Sequence, residues 1–88
     1  MKSKEIIQIL AKYFKEKENY DDEISATALK KFENREYFRV ETVGNDFEIC
    51  AYNDGTIFIR LGGMVGGWKT LDGQPALIVD DIPFLPFS

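Results

Sequence analysis

Apolar residues in the first segment recur at helical spacing. Ile6, Ile7, Leu10, Ala11 and Phe14 fall on one face of a helix running from about Ser3 to Lys17, with Lys4, Glu5, Gln8, Lys12, Lys15 and Glu16 mostly opposite. Ser3 suits the N-cap, where its hydroxyl accepts from a free first-turn amide. Ile9 and Tyr13 widen the apolar stripe, so the helix is expected to pack on a broad surface. A second helix is predicted from about Asp22 to Phe32. Ile24, Ala28 and Phe32 repeat every four residues with Leu29 beside them, Asp21 or Asp22 caps the start, and Lys30 and Lys31 lie where the helix dipole favours cations. The run Ile24-Ser25-Ala26-Thr27-Ala28 also fits a strand, and the helix is the preferred reading.

From Arg35 the period becomes two. Phe38, Val40 and Thr42 alternate with Tyr37, Arg39 and Glu41; Gly44-Asn45-Asp46 supplies a turn; Phe47, Ile49 and Ala51 alternate with Glu48, Cys50 and Tyr52. Asn53-Asp54-Gly55 is a hairpin signal, because these residues tolerate the positive φ that tight turns need. Ile57, Ile59 and Leu61 continue the pattern as a third antiparallel strand. One face carries the aliphatics. The other mixes Tyr52 and Phe58 with Arg39, Glu41, Glu48 and Arg60, and is expected to be partly covered or partly open to a partner. After the glycine connection Gly62–Gly67, Trp68–Leu71 reads as a short strand, Asp72–Pro75 as a turn and Ala76–Val79 as a buried strand. Pro83 and Pro86 forbid a regular central strand in the tail, whose apolar residues suit either a strap over the core or a docking segment.

The expected fold is therefore α+β. One or two N-terminal helices pack on a four- to five-stranded antiparallel meander, flat or curled into a small barrel. The 88 residues form one domain, with a helical part at 1–33, a β part at 35–82 and an apolar tail at 83–88.

Composition narrows the chemistry. The chain has no histidine, which removes imidazole bases, Ser-His-Asp triads and His-ligated metals. Its single cysteine, Cys50, can form no internal disulfide and no cysteine-rich metal site, and in an alternating strand it reads as a small buried hydrophobe. No catalytic residue, metal or cofactor is expected. Eleven basic groups stand against fifteen acidic ones, a net charge of −4. Residues 1–31 carry seven lysines against six carboxylates, whereas residues 32–88 carry three arginines and Lys69 against nine carboxylates. The acidity thus belongs to the β half. No apolar run resembles a signal peptide or a spanning helix, and the expected location is the cytoplasm.

Three motif matches dissolve on inspection. Trp68 intervenes between Gly67 and Lys69-Thr70, so the glycine run lacks phosphate-loop spacing. Placing Asp54 at the fifth position of an EF-hand loop puts Cys50, Tyr52 and Leu61 at the first, third and twelfth, none of them a ligand. Asp21-Asp22 reads as a cap and Asp80-Asp81 as a solvated strand end. Ile59-Arg60-Leu61-Gly62, after a leading helix and a five-strand pattern, loosely resembles the Ile-Arg-Gly step of the Sm-like barrel. Here Leu61 intervenes and that family's Asp…Asn counterpart is lacking, so the resemblance assigns no family.

The expectation for function is a non-catalytic protein-binding module. Small acidic domains of this kind often act as inhibitors or immunity-type proteins, frequently encoded on mobile elements. Its partner is expected to be another protein with a basic surface, met by Glu41, Glu48, Tyr52, Asp54, Phe58, Met64 and Trp68. The second expectation is a small nucleic-acid-binding barrel using Arg35, Arg39, Arg60 and Lys69, with Tyr37, Tyr52 and Phe58 as stacking surfaces. A structural subunit docking by its tail, including on a second copy of itself, is a further alternative. No membrane partner is expected.

Overall fold

The computed structural model describes residues 3–18, 24–42, 44–62 and 67–85. Helix α1 (Ser3–Glu18) is followed by strands β1 (Ser25–Lys31), β2 (Arg35–Thr42), β3 (Asn45–Tyr52), β4 (Ile57–Leu61), β5 (Lys69–Thr70), β6 (Leu77–Val79) and β7 (Ile82–Phe84). The first five strands form one antiparallel sheet in chain order, and β6 and β7 pair separately as a hairpin. The architecture is α+β, with α1 on one face of the meander. Among the described residues the sheet does not close on itself, so it is open rather than a barrel.

The stripe read from the sequence builds the main core. Ile6 and Leu10 of α1 lie fully buried against Phe38 and Val40 of β2, Ile49 and Ala51 of β3, and Ile59 of β4. These strand residues sit two apart and share one face of the pleat. The Asn53–Gly55 hairpin forms where expected, with Ala51 opposite Ile57. The Tyr52 and Thr56 backbones bond across it, and the Thr56 amide donates to the Asp54 carboxylate. Gly55 has φ +96°, and a Cβ there would meet nothing within 4 Å. Gly55→Ala is therefore expected to cost only the backbone term, about 1 kcal/mol, readable as a lower urea midpoint. At the first turn Asn45 and Asp46 already belong to β3, pairing with Thr42 and Glu41, so the turn is tighter than expected.

The predicted second helix is instead strand β1, with Ala26 opposite Val40 and Ala28 opposite Phe38. The physical reason is that a spacing of four residues is also two periods of a strand. Ile24 and Ala26 pack on the main core as an extended strand requires, and β1 pairs with β2 at Glu36 and from Phe38 to Glu41. The register shifts between Ala28 and Lys31. That irregularity and two terminal lysines blunt the outer edge of β1, which has no strand partner among the described residues. Residues 19–23, including the proposed Asp21-Asp22 cap, lie outside the described residues.

The C-terminal third departs further. The sequence predicts a buried strand over Ala76–Val79, yet the strand formed is Leu77–Val79 and all three of its residues are exposed. They pair with Ile82–Phe84 through the turn Asp80-Asp81, whose residues have φ 51° and 62°. This is a two-residue hairpin turn, with aspartates tolerating the left-handed conformation that glycine usually supplies. In such a hairpin the pair flanking the turn is hydrogen-bonded and the next pair is not. Pro83, opposite Ile78, thus stands where no N–H is required. The apolar tail begins as a paired strand and strap; residues 86–88 lie outside the described residues. Among the described residues no helix is long and apolar enough to cross a membrane.

Candidate functional site: the sheet face opposite the helix

The strand residues that point away from α1 meet Trp68 and the β6–β7 hairpin. Trp68 is 2% exposed and packs with Cys50 and Phe58 as a second core. Tyr37 meets its ring edge-on at 6.1 Å, and the Arg60 guanidinium lies 4.3 Å from its centroid. Tyr52 stands edge-on to Phe58 at 5.9 Å and donates its hydroxyl to the Pro83 carbonyl at 2.6 Å. Pro83 is buried and Leu85 packs against the cluster, so the strap covers one end of this face.

Arg60 ties the hairpin to the sheet. Its guanidinium donates to Glu48 and to Asp81, both at 3.1 Å. Burial works against its charge, but Glu48 and Asp81 more than offset this and hold its pKa above the ordinary arginine value. Burial also pushes the Cys50 thiol up to about 11, with a Tyr37 hydrogen bond acting the other way. A thiol held protonated is a poor nucleophile, in keeping with a packing role.

The seven residues expected to meet a partner are thereby separated. Glu41 and Asp54 are exposed; Glu48 and Tyr52 are half-buried and engaged with Arg60 and Pro83. Phe58 and Trp68 are buried rather than presented, with Tyr37, Tyr52, Ala76 and Leu85 packed against their cluster and covering their apolar area. Met64 lies outside the described residues. Two of the candidate nucleic-acid cations are neutralised: Arg39 by Glu41 and Asp46, at 3.2 and 2.9 Å, and Arg60 by its own carboxylates.

Two features were not read from the sequence. One is the outer face of the hairpin, where Leu77 and Phe84 pair across the strands beside Val79 and Ile82. Leu77 and Val79 are more than half exposed. The signal was the alternation Leu77, Val79 and Ile82, Phe84 around a two-residue polar turn. The other is a cleft of about 650 Å³ between the end of β1 and the hairpin tip, with Arg35, Tyr37, Glu48 and Arg60 among its lining residues. Within it the Arg35 guanidinium lies 4.2 Å from the Phe32 centroid and 5.5 Å from that of Tyr37.

Fold and face together define a small α+β domain whose second sheet face is half roofed by a hairpin. Compared with protein-family models, curated proteins and solved structures, the chain matches none.

Proposed function

We propose that the protein is a non-catalytic binding module of the inhibitor or immunity type, which docks on and blocks another protein through its β side. The observation that carries this reading is the outward apolar face of the β6–β7 hairpin. A two-stranded hairpin gains nothing on its own from leaving Leu77, Val79 and Phe84 in water, and contiguous exposed apolar area of this kind usually marks a contact surface. Asp80 and Asp81 at its tip give the patch an acidic rim, which favours a partner with basic groups around an apolar pocket. The buried Phe58 and Trp68 act as the platform that holds the hairpin, not as contacts.

Affinity capture from the native host lysate, followed by mass spectrometry, tests the reading. One protein is expected to be retained in near-stoichiometric amount by the wild type and lost with Leu77→Asp and Val79→Asp. Circular dichroism should show both variants folded, since the substituted side chains are exposed. Capture unaffected by both substitutions, or recovery of nucleic acid with steep salt dependence, overturns it.

A further inference from the structure

Arg35 is held by neutral partners. Its Nε donates to the Tyr37 hydroxyl at 3.1 Å and Nη1 donates to the Asn34 side chain at 3.0 Å. Its Cζ lies over the Phe32 ring, 4.2 Å from the centroid. These contacts fix the guanidinium without cancelling its charge, and among the described residues no carboxylate pairs with it. Two of the five guanidinium N–H groups are spent in this way, leaving donors on both terminal nitrogens for a planar acceptor. Arginine elsewhere on this face is treated differently: Arg39 and Arg60 each meet two carboxylates.

The surroundings restrict what that acceptor can be. Lys30, at the end of β1, lines the cleft together with Glu48, which Arg60 holds, and with Asp80 and Asp81 at the hairpin tip. A polyanion laid across the cleft would meet these acids, whereas a single anionic group on the Arg35 side would not. Leu29, Phe32 and Ile82 supply apolar walls, and Leu29 and Phe32 are 51% and 42% exposed. We propose that this cleft binds one carboxylate carried on an apolar stem of a peptide, gripped end-on by the Arg35 guanidinium, with the stem lying against Leu29, Phe32 and Ile82. The carboxylate comes from a chain terminus or from an Asp or Glu side chain beside an apolar residue. The site goes beyond the docking reading and does not depend on it, because it is tested with small probes and with substitutions at Arg35 and Phe32, which lie outside the apolar hairpin face.

The experiment is an amide-detected NMR titration of the ¹⁵N-labelled full chain with three probes. N-acetylphenylalanine offers a terminal carboxylate, N-acetyl-aspartyl-phenylalanine amide a side-chain carboxylate, and N-acetylphenylalanine amide none. At least one carboxylate probe is expected to shift the amides of Lys30–Tyr37 and Asp80–Ile82 saturably, at least tenfold more tightly than the neutral amide. The tighter of the two acids identifies the source. Arg35→Gln should reduce its affinity to that of the neutral probe, and Arg35→Lys should lose most of the gain, since an ammonium cannot present a planar fork. Phe32→Ala, at an exposed position, should weaken binding severalfold by freeing the guanidinium. Equal binding of the neutral amide, shifts confined to other residues, an unaffected Arg35→Gln variant, or tighter binding of a single-stranded oligonucleotide at the same residues would each overturn the proposal.

Discussion

Trp68→Ala is expected to destabilise the protein by about 3–5 kcal/mol and to loosen the β6–β7 hairpin from the sheet. Trp68 is the largest side chain of the second core and touches elements far apart in the chain: Cys50 and Phe58 beneath it, Tyr37 at its edge and Arg60 above its ring. Removing it takes away the surface against which Arg60 is held, and Arg60 is what anchors the hairpin tip through Asp81. A domain of this size has only about 4–13 kcal/mol to lose, so the variant should unfold at a much lower urea concentration. Among the described residues the indole N–H has no acceptor, so Trp68→Phe should cost far less, about 1 kcal/mol. Urea denaturation followed by far-UV circular dichroism measures both. A loss below about 1 kcal/mol for the alanine variant would show that this second core does not unfold with the first.

Raising the pH should weaken the same region. Burial lifts the Cys50 thiol from 9.0 to about 11. Below the unfolded value the thiol is protonated in both states and its contribution is intact. Between the two values the unfolded chain releases a proton that the folded chain keeps, so each step upward favours unfolding. Above about 11 the folded thiol ionises as well and the loss is complete, on the order of 2–3 kcal/mol. Burial also raises Tyr37 and Tyr52, so they add to the fall at higher pH in the same direction. Urea midpoints measured from about pH 8 to about pH 11 should fall steadily, and Cys50→Ala should flatten the early part of that fall. An equally steep early fall in the alanine variant would assign it to other groups.

The helix, the three central strands and the Asn53–Gly55 hairpin were legible because local chemistry sets them. Apolar spacing and a positive-φ turn each act within a few residues. Strand β1 was misread because Ile24, Ala28 and Phe32 satisfy both periods, and only pairing with β2 distinguishes them. The β6–β7 hairpin hid because its turn is Asp80-Asp81 rather than a glycine turn, and because Pro83 is tolerated at a non-bonded position. The choice of contact residues suffered most. Tyr52 and Phe58 were correctly placed on the sheet face opposite the aliphatics, but the strap that covers this face is a long-range contact. Arg35 was legible only as one candidate cation beside Arg39, Arg60 and Lys69; that no carboxylate among the described residues pairs with it, unlike Arg39 and Arg60, is set by tertiary placement.

The order of the large sheet follows the order of the chain, so every pairing within it joins consecutive strands. In kinetic terms each ladder can close as a neighbouring hairpin or short loop, without waiting for distant segments to find one another. Partially formed sheets can grow in steps from the β2–β3 hairpin, where pairing is longest. The roof made by Trp68 and the final hairpin has a platform only after β2, β3 and β4 are in place. Its assembly should therefore be a late event, felt more in the unfolding rate than in the folding rate.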